Sequence, residues 1–151
     1  MISVMFVCHG NICRSPMAEF VMKDIVRKNG MEGMFVIDSC ATSREEIGND
    51  MYPPAKRMLT EKGVRFGKRK ARQITEEDLA KYDHLICMDR NNMRNLTRMF
   101  GNKADKVRLM MNIVGEERDV ADPWYTGDFE ATYDDVLRGC SALFEEIVGK
   151  K

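Results

Sequence analysis

The stretch "FVCHGNICRSPMAEF", residues 6–20, decides the fold. A run of apolar residues arrives at Cys8, turns through His9, Gly10 and Asn11, and leaves as Arg14-Ser15-Pro16. Gly10 and Asn11 tolerate backbone angles that other residues avoid. Ser15 is suited to cap a helix and Pro16 to its first turn. Ala18, Val21, Met22 and Ile25 then recur at helical spacing. The stretch therefore reads as strand, tight loop and helix. Consecutive amides in such a loop turn inward as an anion nest. The helix that follows points its positive end at the same spot. Arg14 adds a planar, permanently charged fork that matches two phosphate oxygens, and the same field favours the thiolate of Cys8. Residues 8–14 thus read as a phosphate cradle carrying its own nucleophile. An isolated cysteine at a strand end is more often a small buried side chain. The loop, the arginine and the helix together argue against that here.

Working outward, short apolar runs alternate with longer helical patterns. Strands are expected at "SVMFVC" (3–8), "MFVIDSC" (34–40), "HLICM" (84–88) and "KVRLM" (106–110). Helices are expected from Ser15-Pro16, at 54–62, at 75–81 capped by Thr75, and at 90–100 capped by Asp89. A longest one carries Phe129, Tyr133, Val136, Leu137, Cys140, Leu143, Phe144 and Ile147 at helical spacing. The alternation predicts an α/β three-layer sandwich, a central four-stranded parallel sheet flanked by helices on both faces. Such sheets bind ligands beyond the carboxyl ends of their strands. Stretches 40–53 and 111–128 resist assignment, and loops of that length are usually functional. Both follow strands, as the cradle does, so all three are expected to meet at one edge.

Composition narrows the classes. The chain has 151 residues, enough for one domain spanning 1–151 with a proper core. Its 24 acidic and 24 basic side chains balance, so bulk charge offers no attraction to nucleic acid or a membrane surface. "MISVMFVC" is too short, and lacks the basic leader, for a signal peptide. No apolar run approaches a membrane span. The five cysteines are odd in number and scattered, unlike a secreted disulfide framework. A cytoplasmic, reducing location is expected.

"VCHGNICRSPMAE" resembles the phosphate loop of the low-molecular-weight protein tyrosine phosphatases. The likeness continues through "IDSCATS", "KARQITEEDLAKYDHLICMD" and "DPWYTGDFEATY", nearly the whole chain. The resemblance implies Cys8 as nucleophile, Arg14 as phosphate clamp, and Asp122 of "ADPWY" as general acid and base, with Pro123 stiffening its loop. Without the cradle upstream, Asp122-Pro123 would read as a surface turn. Ser15 would hydrogen-bond the cysteine sulfur and Asn11 would hold the loop's shape. His9, Gly10, Ile12 and Cys13 would complete the binding loop, and Trp124 and Tyr125 would wall the substrate ring. The implied substrate is a phosphotyrosine-containing protein and the product inorganic phosphate. No metal or other cofactor is implied, and no nucleic-acid or membrane partner. Relatives acting on phosphoarginine tend to carry threonine where this chain has Ile12, and isoleucine suits an aryl group. Cys13 admits two readings, a small buried filler or a thiol that captures oxidised Cys8, and the resemblance tips toward the second.

Three positions depart from the family pattern. His9 stands where an aliphatic residue is common. Glu45 stands in the loop after the second strand, where some members carry an aromatic wall; a carboxylate there repels acidic peptide flanks. Arg69, in "GKRKARQ", stands where some relatives brace the cradle with histidine, although such basic runs are usually solvated loops. Three rival readings have less support. An arsenate reductase would pass a disulfide along a cysteine relay on a mobile segment, whereas Cys87 falls in an expected buried strand and Cys140 in the last helix. A non-catalytic phosphate-binding module fits poorly with Cys8, Arg14 and Asp122 all present. Metal binding by Cys8 and Cys13 lacks a second ligand pair.

Overall fold

The computed structural model describes residues 1–149. Four parallel strands form one sheet in the order β2-β1-β3-β4. They are β1 (Ile2–Cys8), β2 (Phe35–Ala41), β3 (His84–Cys87) and β4 (Arg108–Leu109). β1 sits inside the sheet. It pairs with β2 from Ile2 opposite Phe35 to Cys8 opposite Ala41, and with β3 from Val4 opposite His84 to Val7 opposite Cys87.

The period of two sorts β1 between two cores. Val4, Phe6 and Cys8 face one and Met5 and Val7 the other. Helices α1 (Arg14–Lys28) and α2 (Pro53–Glu61) contribute to the first core. Helices α3 (Glu76–Lys81) and α4 (Arg90–Phe100) cover the opposite face with Leu79 and Leu96. Three more helices, α5 (Met110–Ile113), α6 (Pro123–Thr126) and α7 (Phe129–Gly149), follow β4. α5 and α7 return to the first core through Met110, Met111, Val136, Cys140 and Leu143. A strand buried on both faces has no need of alternation, which is why β1 reads as an unbroken apolar run.

The expected three-layer sandwich is observed, with local corrections. β4 is two residues long rather than five, because the chain turns into α5 at Met110. Met110 is fully buried beside Gly139 of α7, where an added Cβ would lie 2.8 Å from its sulfur. β3 stops at Cys87, and the Met88 amide donates instead to Asn92 Oδ1 at 3.1 Å. β2 starts at Phe35 because residues 32–34 form a 3₁₀ turn. Ser15 does not cap α1: the helix begins at Arg14, and Cys13 occupies the cap position without a side-chain hydrogen bond. The serine hydroxyl is turned inward toward Cys8 instead. Thr75 and Asp89 do cap α3 and α4, each in a reciprocal box with the residue three positions on. Among the described residues, no helix is long and apolar enough to cross a membrane.

The order β2-β1-β3 places a switch point between β1 and β3. Their following helices, α1 and α4, lie on opposite faces, and a crevice opens at the strands' carboxyl ends. Cys8 ends β1 at this crevice.

Candidate active site

The loop after β1 is held from both sides. The loop after β2 docks on it through backbone bonds, Thr42 N–H to Cys8 O at 2.9 Å, Ser43 N–H to His9 O at 3.1 Å and Tyr52 N–H to Ile12 O at 2.8 Å. Asn11 adopts φ 60°, the left-handed region that asparagine tolerates. Its amide N–H then points at Cys8 Sγ, 3.3 Å away.

Asn11 is fully buried and its side-chain hydrogen-bonding capacity is used in full. Nδ2 donates to Ser15 Oγ at 2.8 Å and Ser39 Oγ at 2.9 Å. Oδ1 accepts from Arg69 Nη2 and from the Arg72 amide at 3.3 Å. Ser39 Oγ in turn donates to Glu19 Oε1 at 2.6 Å, and the other Glu19 oxygen binds Lys23. The directions are forced. A carboxylate only accepts, so Ser39 donates to it and receives from Asn11. Ser15 likewise receives from Asn11, leaving its own hydrogen to be shared between Cys8 Sγ at 3.0 Å and the Cys40 carbonyl at 3.4 Å.

Arg14 is 2 % exposed and reaches across the crevice. Nη1 donates to Asp89 Oδ2 at 2.7 Å and to Val120 O at 2.8 Å; Nη2 lies 3.4 Å from Asp122 Oδ2. Burial opposes its charge, but Cys8, Asp89 and Asp122 together raise its pKa above the ordinary value. Asp122 caps the short α6, its Oδ1 accepting the Trp124 amide at 3.0 Å. Trp124 packs at 4.8 Å on Tyr52, while Tyr125 remains 83 % exposed.

One pocket is lined by Cys8, His9, Gly10, Ile12, Cys13 and Arg14, by Glu45 and Glu46, and by Asp122, Trp124 and Tyr125. The loops of 40–53 and 111–128 therefore meet the cradle at one edge, as expected. Of the twelve residues singled out, only Asn11 and Ser15 are absent from the lining, and both lie directly behind it. Cys13 is buried, and burial first, then the Cys8 and Asp122 charges, push its thiol up to about 12. Arg69 is not a solvated loop residue: it turns in to brace Asn11, while Lys68 and Lys70 on either side stay exposed. Burial lowers the Arg69 pKa, only partly offset by Glu19 and Cys8. His9 and Glu45, both departures, pair with each other and both line the pocket. Among the described residues, no group of three or more His, Cys, Asp or Glu side chains is arranged to hold a metal ion.

Sequence reading missed four contributors. Asp89 was legible as a helix cap, but its second oxygen holds Arg14. Ser39 and Tyr52 come from other parts of the chain, and Glu19, one turn along α1 from Ser15, reaches the cradle only through Ser39.

Residues 3–151 match the family model described as low molecular weight phosphotyrosine protein phosphatase. The low molecular weight protein-tyrosine-phosphatase YfkJ of Bacillus subtilis is 39 % identical, covering 100 % of this chain and 99 % of the relative. The low molecular weight phosphotyrosine protein phosphatase of Sus scrofa is 40 % identical over 96 % of this chain and 95 % of its own. The crystal structure of Bacillus subtilis YfkJ superposes with a TM-score of 0.95, covering 100 % of this chain and 97 % of that one. With cradle, crevice and whole-chain likeness in agreement, the chain belongs to the low molecular weight phosphotyrosine protein phosphatase family, a family of hydrolases.

Proposed function

We propose that this protein, a single domain over 1–151, hydrolyses phosphotyrosine in protein substrates through a cysteinyl-phosphate intermediate, without metal or other cofactor. One observation carries the reading: the Cys8 sulfur receives the Asn11 amide and the Ser15 hydroxyl in the pocket that also holds Arg14 and Asp122. Cys8 attacks phosphorus in line, while loop amides and the Arg14 fork hold the equatorial oxygens. The Asp122 carboxyl, beside Arg14 Nη2, protonates the departing phenol oxygen. It then takes a proton from the water that attacks the thiophosphate, and phosphate leaves. Ser15 stabilises the sulfur anion as it is released. Ile12, Trp124 and Tyr125 give the ring an apolar seat.

An arsenate-reductase relay has less support. Cys87 is fully buried in β3, its thiol pushed up to about 12 by burial, and Cys140 is fully buried in α7. The five free thiols fit a reducing, cytoplasmic setting. There the enzyme is redox-sensitive, with Cys13 as partner for an oxidised Cys8. No membrane or nucleic-acid partner enters this reading.

Turnover of phosphotyrosine, phosphoserine and phosphoarginine peptides and of arsenate, by one preparation without added metal, tests the reading. Release of phosphate from phosphotyrosine peptides is expected to dominate. Cys8→Ser should abolish it, and rapid quenching of wild type should trap phosphate on Cys8. A Cys8→Ser variant that still turns over would remove the nucleophile from its role.

A further inference from the structure

We propose that His9 is a specificity-determining residue of this site, an imidazole wall for the substrate's aryl group, and that Glu45 is the residue that positions it. The inference rests on the phosphatase reading and refines it. His9 follows the nucleophile directly, and its side chain lines the same pocket as Cys8 and Arg14. Whatever is esterified to a phosphate held by Arg14 must leave past the pocket mouth. Three chain segments contribute to the lining beyond Cys8 and Arg14: α6 with Trp124 and Tyr125, the cradle with His9, and the loop after β2 with Glu45 and Glu46.

The His9–Glu45 pair does little to hold that loop in place. Backbone bonds from Thr42, Ser43 and Tyr52 already fix it to the cradle. Glu46 also lies close, its Cγ 3.3 Å from where a side chain on Gly10 would begin. The paired side chains are 45 % and 65 % exposed, a setting in which an ion pair adds little to stability. What the pair does accomplish is orientation. Glu45 Oε2 takes His9 Nε2, so the ring is held at the mouth instead of sampling rotamers, and ligand binding has less side-chain freedom to remove. A flat π-bearing ring fixed in this way offers a face to an aryl group in either protonation state. Trp124 is already engaged by Tyr52, and the imidazole adds a ring surface from the cradle beside the Tyr125 ring of α6.

Calorimetric binding of benzylphosphonate and methylphosphonate to the full chain isolates the ring's contribution without turnover. Wild type should prefer benzylphosphonate. His9→Ala should shrink that preference by about three- to tenfold. Glu45→Ala should shrink it in the same direction, and the double variant should fall no further than His9→Ala alone. His9→Phe, whose ring needs no carboxylate partner, should keep the preference and make it indifferent to Glu45→Ala. The proposal is overturned by a wild type without ring preference, or by a preference unchanged in His9→Ala. It is equally overturned if Glu45→Ala costs as much in the His9→Ala background as in wild type. Failure of the phosphatase reading is seen separately, as absence of p-nitrophenyl phosphate turnover by wild type.

Discussion

Asp122 and Cys13 line one pocket, yet their surroundings set them to different tasks. Asp122 caps α6 with one oxygen and stands beside Arg14 with the other, so its carboxyl is held in the pocket in the position the proposed acid role requires it to keep. Asp122→Ala should slow poor phenol leaving groups about 10²- to 10⁴-fold, the usual reach of a positioned acid, and good ones far less. A leaving-group series measured by steady-state kinetics checks this, and equal slowing throughout would remove Asp122 from the acid role. Cys13 is buried with its thiol pushed up to about 12, so at neutral pH it is protonated and a poor nucleophile toward alkylating agents. Iodoacetamide at neutral pH should therefore label Cys8 and leave Cys13 untouched, with phosphate protecting Cys8. Under the proposed redox role, peroxide would take Cys8 to a sulfenic acid, which would condense with the Cys13 thiol, releasing water, to give a disulfide. In Cys13→Ser, thiol rescue after mild peroxide should fail as oxidation runs on to sulfinic acid. Mass spectrometry that finds no Cys8–Cys13 linkage would reduce Cys13 to packing. At this scale the sequence reveals residues whose chemistry depends on near neighbours, such as Cys8, Asn11 and Arg14. It hides those recruited by folding: Glu19 of α1, Ser39 of β2 and Asp89 at the cap of α4 reach the cradle from one strand and two helices.

Element boundaries were legible where side chains compete locally for backbone groups. Thr75 and Asp89 announce α3 and α4 because a short polar side chain before an acidic or amide residue closes both ends of a capping box. β4 was not legible, since "KVRLM" carries strand propensity while Met110 is drawn into the core as the start of α5. Asp78 shows how a cap becomes a tertiary strut. It closes the Thr75 box and also binds Arg72 at 2.8 Å, and Arg72 reaches on to Asp38 at 3.3 Å. Burial alone would raise the Asp78 carboxyl, but the hydrogen bonds from Arg72 and Thr75 outweigh it and hold the pKa below the ordinary value. A carboxyl depressed on folding contributes its stability above the unfolded value, about 3.9, and loses it as pH falls through the folded value. Asp78→Ala should therefore cost about 1–2 kcal/mol near neutral pH, with the gap to wild type closing progressively below about pH 4. Urea unfolding of both proteins across that range checks the sign. A gap that widens on acidification would mean the carboxyl is not held as the ion.

On the scale of the whole molecule, the site is a consequence of strand order. β1 turns to α1 on one face and β3 to α4 on the other, and the crevice between them receives two further loops. Alternating strands and helices made that architecture readable from the sequence. What the sequence withheld was which loops touch, because backbone contacts such as Thr42 to Cys8 and Val120 to Met88 depend on chain reversal rather than residue type. Arg14 is the point where these segments converge: the cradle supplies it, and α4's cap, the Val120 carbonyl and Asp122 meet its guanidinium. A phosphate dianion seated on that fork binds only the folded chain, so it should stabilise the whole molecule by mass action. At one hundred times its dissociation constant the gain is about 2.7 kcal/mol. For a domain of this size that corresponds to a rise in Tm of roughly 5–10 °C. Arg14→Lys keeps the charge but loses the fork that spans Asp89 and Val120 and would, on the proposed reading, grip the phosphate oxygens. Its own Tm should fall, and its phosphate-dependent rise at the same phosphate concentration should be less than half that of wild type. Differential scanning calorimetry over a phosphate series, at constant ionic strength set with chloride, measures both. An equal phosphate shift in the two proteins would show that the anion binds elsewhere, and that Arg14 serves the fold without clamping the ligand.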